Sequence, residues 1–164
     1  MTEEQRKQRN NERLLELYPT FRKRLAAVIA DLESRGLRPR IQDGYRSPED
    51  QLKAFNSGHS KLKFGFHNVT GPNGAKESLA VDMLDDDSPL ASRKIYLLQL
   101  ADAAEKQGLK TGIRWGLPAG LASTIDQVIA AKNWTADIKI GWDPTHVEPT
   151  GLTATEAKNG KRPS

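Results

Sequence analysis

Apolar residues recur at Leu14, Tyr18, Phe21, Leu25, Val28 and Leu32, in alternating steps of four and three. Those steps trace one face of an α-helix. Pro19 interrupts the series, so the firm helix is expected to begin there with proline in its first turn, and Gly36 ends it. Residues 3–13 carry almost only charged and amide side chains and are expected to fray. Leu37–Asp43 alternates roughly and reads as a short strand broken by Gly44. Ser47-Pro48-Glu49-Asp50-Gln51 has the order of a helix start: a capping serine, a first-position proline, then acids in the first turn.

The middle of the chain has no such period. Residues 57–78 hold four glycines and a proline among polar residues and read as a long loop. Loops of that length in a small domain usually carry function or disorder. Leu79-Ala80-Val81-Asp82-Met83-Leu84 fits a buried strand with one acid inside it. Ser88-Pro89 predicts a further helix, with Leu90, Leu97, Leu98, Ala101 and Ala104 inward and Gly108 as its stop. A strand over 109–115, a helix over 121–132 and an aromatic-rich segment over 141–148 complete the pattern. The segment 150–164 is small and polar and is expected to be a mobile tail. Helices interleaved with short strands and long loops predict an α+β fold, a small antiparallel sheet flanked by helices, rather than a doubly wound one. The division expected is a single catalytic domain over 1–149 and the flexible tail over 150–164.

Composition narrows the chemistry. The chain has 164 residues, enough for one domain with a real core. It has no cysteine, which excludes disulfides, thiolate metal sites and a cysteine nucleophile. No apolar run is long enough for a transmembrane helix, and no signal-peptide stretch opens the chain. Formal net charge is +4, and all of the excess lies in residues 1–46, with 11 basic against 7 acidic residues. A basic third of this kind suits a polyanion such as an anionic cell wall or a nucleic acid, or is simply a solvated helix face. No nucleic-acid recognition motif accompanies it, so no specific nucleic-acid partner is expected.

Three histidines bound the acid–base and metal candidates: His59 in a turn, His67 in Phe64-Gly65-Phe66-His67-Asn68, and His146 in Trp142-Asp143-Pro144-Thr145-His146-Val147-Glu148. Asp82 is the most informative residue. A carboxylate inside an apolar strand needs a cation, a metal or several backbone amides, unless it faces solvent at an edge. In the last segment His146 and Glu148 share one face of an extended chain, and a bend at Pro144 would bring Asp143 toward His146. Asp85-Asp86-Asp87 could bind a hard cation, but reads better as a solvated turn before the Ser88-Pro89 helix start.

A histidine in a loop, an Ala-x-Asp on the following strand and a C-terminal Trp-Asp-x-x-His-x-Glu together resemble the zinc D-Ala-D-Ala carboxypeptidase and L-alanyl-D-glutamate endopeptidase family, which includes many bacteriophage endolysins. Asp43-Gly44-Tyr45-Arg46-Ser47-Pro48-Glu49-Asp50-Gln51 is similar to its Gly-Tyr-Arg-Ser…Gln segment. Gly108-Leu109-Lys110-Thr111-Gly112-Ile113-Arg114-Trp115-Gly116 is similar to its Gly-Leu-x-x-Gly-x-x-Trp stretch. The five motifs span roughly residues 37–149 in the family's order.

The resemblance implies a hedgehog/D,D-peptidase-like fold and a single Zn²⁺ held by His67, Asp82 and His146. It implies Asp143 as the catalytic acid–base, Arg46 as the group that holds a substrate carboxylate or carbonyl, and Glu148 as a partner of His146 rather than a ligand. The family keeps its histidine closer to the aspartate, so Asn68–Glu77 is read as an insertion. His59 is the alternative first ligand but lacks flanking aromatics. Two histidines and one carboxylate leave a fourth zinc position for water and lower that water's pKa toward ~7. The implied function is hydrolysis of the peptidoglycan stem peptide at the L-alanyl-D-glutamate bond by an endolysin-like monomer. Such an enzyme is made in the host cytoplasm and acts on the wall after release. The alternatives are a D-Ala-D-Ala carboxypeptidase and a catalytically silent wall-binding or phage structural module.

Overall fold

In the computed structural model, which describes all 164 residues, the series Phe21, Leu25, Val28, Leu32 is the buried face of α2 (Pro19–Ser34). That face packs on α4 (Lys94–Lys106) and on a four-stranded sheet. The strands are β1 (Pro39–Asp43), β2 (Val81–Asp85), β3 (Leu109–Gly112) and β4 (Asp143–Pro149). They lie in the order β1-β2-β4-β3, every neighbouring pair antiparallel. Helices α3 (Pro48–Asn56), α5 (Ala119–Ala130), α1 (Glu3–Leu14) and α6 (Ala154–Lys158) complete an α+β fold.

Strand alternation gives the sheet two chemically distinct faces. Val81 and Met83 of β2 and Val147 of β4 point into the helical core, where the Tyr96 hydroxyl donates to the Met83 carbonyl at 3.0 Å. Asp82, His146 and Glu148 point the other way, into an open groove. The face that cannot be apolar is therefore the face that carries the acid–base residues.

Four expectations change. Residues 3–13 do not fray: they form α1, with a Thr2–Gln5 capping box. The helix lies along β1, the edge of the sheet, through polar groups. Arg6 and Asn10 donate to the Pro39 carbonyl at 2.8 and 3.0 Å. Asn10 accepts from the Ile41 amide at 2.9 Å, and Arg9 donates to the Ile41 and Gln42 carbonyls. An edge strand exposes unpaired backbone groups, and here a polar helix satisfies them.

The helix expected from Ser88-Pro89 starts later, at Lys94. Asp85 holds the intervening turn, accepting from Arg93 Nε at 2.6 Å while its amide donates to Ser92 Oγ at 3.0 Å. Nor is Asp85-Asp86-Asp87 a solvated turn. Asp85 and Asp86 are buried, and Asp86 pairs with Arg38 at 2.9 Å and Arg40 at 3.0 Å. Buried carboxylates require such partners.

The segment beyond residue 149, expected as a mobile tail, is packed. Leu152 and Ala157 join the core, Thr153 and Glu156 form a capping box for α6, and Thr20 donates to the Pro163 carbonyl at 3.1 Å.

Candidate metal centre

Asp82 and His146 are brought together by strand pairing. They are direct cross-strand partners in β2 and β4, so their side chains stand side by side on the groove face. His146 Nδ1 lies 3.7 Å from Asp82 Oδ1. A break in register does the rest. Thr111 of β3 pairs with Val147, but the next residue, Gly112, pairs with Asp143. Residues 144–146 bulge out of the β3–β4 ladder, and the bulge turns Asp143 back toward His146, with 3.9 Å between Oδ2 and Nδ1. The bend expected at Pro144 is this bulge. It is possible because Gly112 meets Asp143 backbone to backbone, where a Cβ would collide with the Asp143 carbonyl.

His67 reaches the same place from a 3₁₀ turn, Phe66–Asn68. Two bonds lock that turn to the segment after β1. The Arg46 amide donates to the His67 carbonyl at 3.0 Å, and Asn68 Nδ2 donates to the Arg46 carbonyl at 2.9 Å. The ring is locked as well. Nδ1 donates to the Gly44 carbonyl at 2.7 Å, which leaves Nε2 free and 3.5 Å from Asp82 Oδ2. Asn68 opens the segment read as an insertion, and the residues after it leave this arrangement intact. They close on themselves, with the Gly71 amide donating to the Ala75 carbonyl and the Glu77 amide to the Val69 carbonyl. That closure accommodates a spacing of 15 residues between His67 and Asp82. His59 bonds Ser57 in the turn after α3 and does not line the groove.

One ligand atom from each of His67, Asp82 and His146 lies within 4.8 Å of the others, a group that could hold a metal ion. The chemistry of the donor set fits zinc: two imidazole nitrogens and one carboxylate oxygen, with the opposite nitrogen of each ring engaged. For His146 that engagement is Nε2 to Glu148 Oε1 at 2.8 Å, with both side chains nearly buried. Burial alone would push the His146 imidazole down, but the Asp82 and Glu148 carboxylates outweigh it and hold it up at about 9. Burial likewise works to raise Asp82, and the imidazoles of His146 and His67 overcome it and hold that carboxyl below its ordinary value. Asp143 moves the opposite way. Burial raises it and Asp82 adds to the rise, against the pull of His146. Two neighbouring carboxyls pushed apart in this way are a recurring feature of acid–base sites.

The groove around these residues is about 1000 Å³. Arg46 stands in its wall, exposed, its guanidinium donating to Gln51 at 3.3 Å, while Gln51 is buried and bonds Ser60 and Leu62. Two aromatic residues had no role assigned from sequence. Trp115 lies against His146, ring centroids 5.1 Å apart, and Trp142 lies against Trp115 at 5.6 Å. The signal was present in the Trp-Asp-x-x-His run, but an aromatic beside a candidate ligand reads equally well as core.

No protein-family model and no curated protein matches the sequence. Among solved structures, the L-Ala D-Glu endopeptidase ChiX of Serratia marcescens is similar, with a TM-score of 0.53 and 18% identity over 87% of this chain and 86% of that one. The chain therefore has the α+β fold of that endopeptidase, and on that fold it places a His67-Asp82-His146 group able to hold a metal ion.

Proposed function

We propose that the chain is a zinc-dependent peptidoglycan peptidase that hydrolyses the stem peptide at the L-alanyl-D-glutamate bond, in the manner of a bacteriophage endolysin. The observation that carries this reading is the convergence of His67, Asp82 and His146 within 4.8 Å, with Asp143 beside them in an open groove. The fold shared with ChiX supports it, as does the order of the five motifs.

In this reading His67, Asp82 and His146 would hold a zinc ion, which would supply Lewis acidity and a water nucleophile at neutral pH. Asp143 takes a proton on one side of the reaction and delivers it to the departing amine nitrogen on the other. Its raised pKa suits a group that must both accept and release a proton. Arg46 pairs with a carboxylate or carbonyl of the peptide and fixes its register. Glu148 holds the His146 ring so that Nδ1, not Nε2, faces the groove.

Digestion of purified peptidoglycan with and without a chelator, followed by mass spectrometry, tests the proposal. Chelator-sensitive release of stem peptides lacking L-Ala is expected. Loss of a terminal D-Ala alone would reassign the chain as a D,D-carboxypeptidase. No release in zinc-replete buffer would leave a silent wall-binding or phage structural module.

A further inference from the structure

We infer that Trp142 is a sugar-stacking platform, which makes the enzyme prefer stem peptides still attached to the amino sugar of the glycan. The inference rests on the peptidase reading for the identity of the sugar.

Trp142 is the residue immediately before Asp143, yet it is 73% exposed. An indole left in water beside a reactive centre needs a reason, since large apolar groups at a groove rim mark contact sites. The ring is held rather than loose. Its backbone amide donates to the Trp115 carbonyl at 3.2 Å. Gly116, at φ +77°, lies directly beneath it, where a Cβ would stand 2.9 Å from Trp142 Cδ1. A side chain at residue 116 would displace the indole. The Cδ1 edge of the indole is thus set against Gly116, with Trp115 tilted beside it at 48°, and most of the ring is open to solvent.

The rings form a series from the metal group to the rim: His67 to His146 at 5.4 Å, His146 to Trp115 at 5.1 Å, Trp115 to Trp142 at 5.6 Å. Trp142 is therefore two ring-to-ring steps from His146. Extended chain spans about 3.5 Å per residue, so in a stem cut after L-Ala the sugar begins about 7 Å from the scissile carbonyl. At the terminal D-Ala bond three more residues intervene, and in extended chain the sugar lies about 17 Å away. The two centroid steps keep Trp142 within about 11 Å of His146, so in an extended stem a sugar at the first distance reaches the indole with the scissile bond at the metal group, and a sugar at the second lies beyond it.

The chemistry of the surface also selects the occupant. A pyranose presents a flat C–H face that covers an indole and hydroxyls that meet a polar group such as Thr145, which lines the same groove. The L-Ala methyl is too small to cover the ring, and a D-Glu carboxylate gains nothing from it.

The test compares zinc-loaded wild type, Trp142→Ala and Trp142→Phe on an N-acetylmuramyl stem peptide and on the same peptide without the sugar. Wild type should show a KM lower by roughly three- to tenfold for the sugar-bearing peptide, the range expected of one aromatic stack. Trp142→Ala should bring the ratio near one, and Trp142→Phe should restore part of it. A wild type without preference, or an alanine variant that keeps it, overturns the inference while leaving the peptidase reading intact. Calorimetric titration of N-acetylmuramyl-L-alanine against N-acetyl-L-alanine needs no turnover. If neither peptide is cut, the peptidase reading fails and this titration decides. Sugar-dependent binding lost in Trp142→Ala upholds the platform, and equal binding removes it.

Discussion

Asp143 and His146 sit three residues apart and differ in what their loss should do. The Asp143 side chain stands beside the metal group rather than within it. Asp143→Ala should therefore keep stoichiometric zinc and lose turnover by about 10²- to 10⁴-fold, the usual contribution of a general acid–base. Wall lysis at the normal rate by this variant would refute its role. His146 gives a pH signature in the metal-free protein. With its imidazole held up at about 9, it carries a proton at pH 7 that a metal ion must displace. Zinc affinity, measured by competition with a chelator, should rise with pH by up to about tenfold per unit and level off near pH 9. A flat affinity across pH 7–9 would mean that His146 holds no proton there for the metal to displace. Asp82 was legible in the sequence because a carboxylate interrupts an apolar strand. His67 was not legible from its own neighbours alone. Its place depends on the Gly44 carbonyl, the Asn68 side chain and a self-closed loop, and no local pattern encodes those contacts.

Elements with an apolar stripe were readable, as was α3 from its capping serine and first-turn proline, whereas α1 and α6 were not. Helix α2 is set by its buried series, and β2 by its run of aliphatics around Asp82. Helix α1 has no such stripe. What holds it is a set of amide and guanidinium bonds to the edge of β1, and hydrophobic period is silent about those. The same holds for α6 and the residues after it, fastened by Leu152, a capping box and Arg162, which donates to Glu77 at 3.0 Å and to the Thr70 carbonyl at 3.3 Å. Asn10 offers the sharpest test of the α1 docking. It accepts from one backbone group of β1 and donates to another, and it is buried. Asn10→Ala leaves an amide and a carbonyl short of partners, at about 1–3 kcal/mol. Thermal unfolding should show a drop of roughly 2–4 °C per kcal/mol lost, whereas exposed Glu12→Ala should leave the midpoint unchanged. Equal midpoints for both would mean that the Asn10 bonds contribute nothing to the docking of α1, leaving it to Arg6 and Arg9.

Across the whole molecule, charge that looks free in the sequence is already engaged. The surplus of basic residues in the first 46 positions suggested a face for an anionic partner. Yet Arg6 pairs with Glu3 and Glu33, Arg35 with Asp31 and Asp102, and Arg38 and Arg40 with the buried Asp86. Much of that charge serves internal packing between α1, α2 and the β1–β2 edge, which weakens the argument from a basic face to wall adsorption. The groove side of the sheet has the opposite imbalance. Asp82, Asp143 and Glu148 crowd against two imidazoles on β2, β4 and one loop, three segments far apart in the chain. A cation bound there would tie those segments together and relieve the repulsion between Asp82 and Asp143. Binding to the folded chain alone stabilises it by about 2.7 kcal/mol when free ligand is a hundredfold above Kd. For a protein of this size that corresponds to roughly 5–10 °C in Tm. Differential scanning calorimetry with zinc, against a chelator, should show this rise in wild type and in Asp143→Ala, and should show none in His146→Ala. A rise in all three would place the zinc elsewhere. A rise in none would mean that the His67-Asp82-His146 group does not bind the metal, and the peptidase mechanism would lose its foundation.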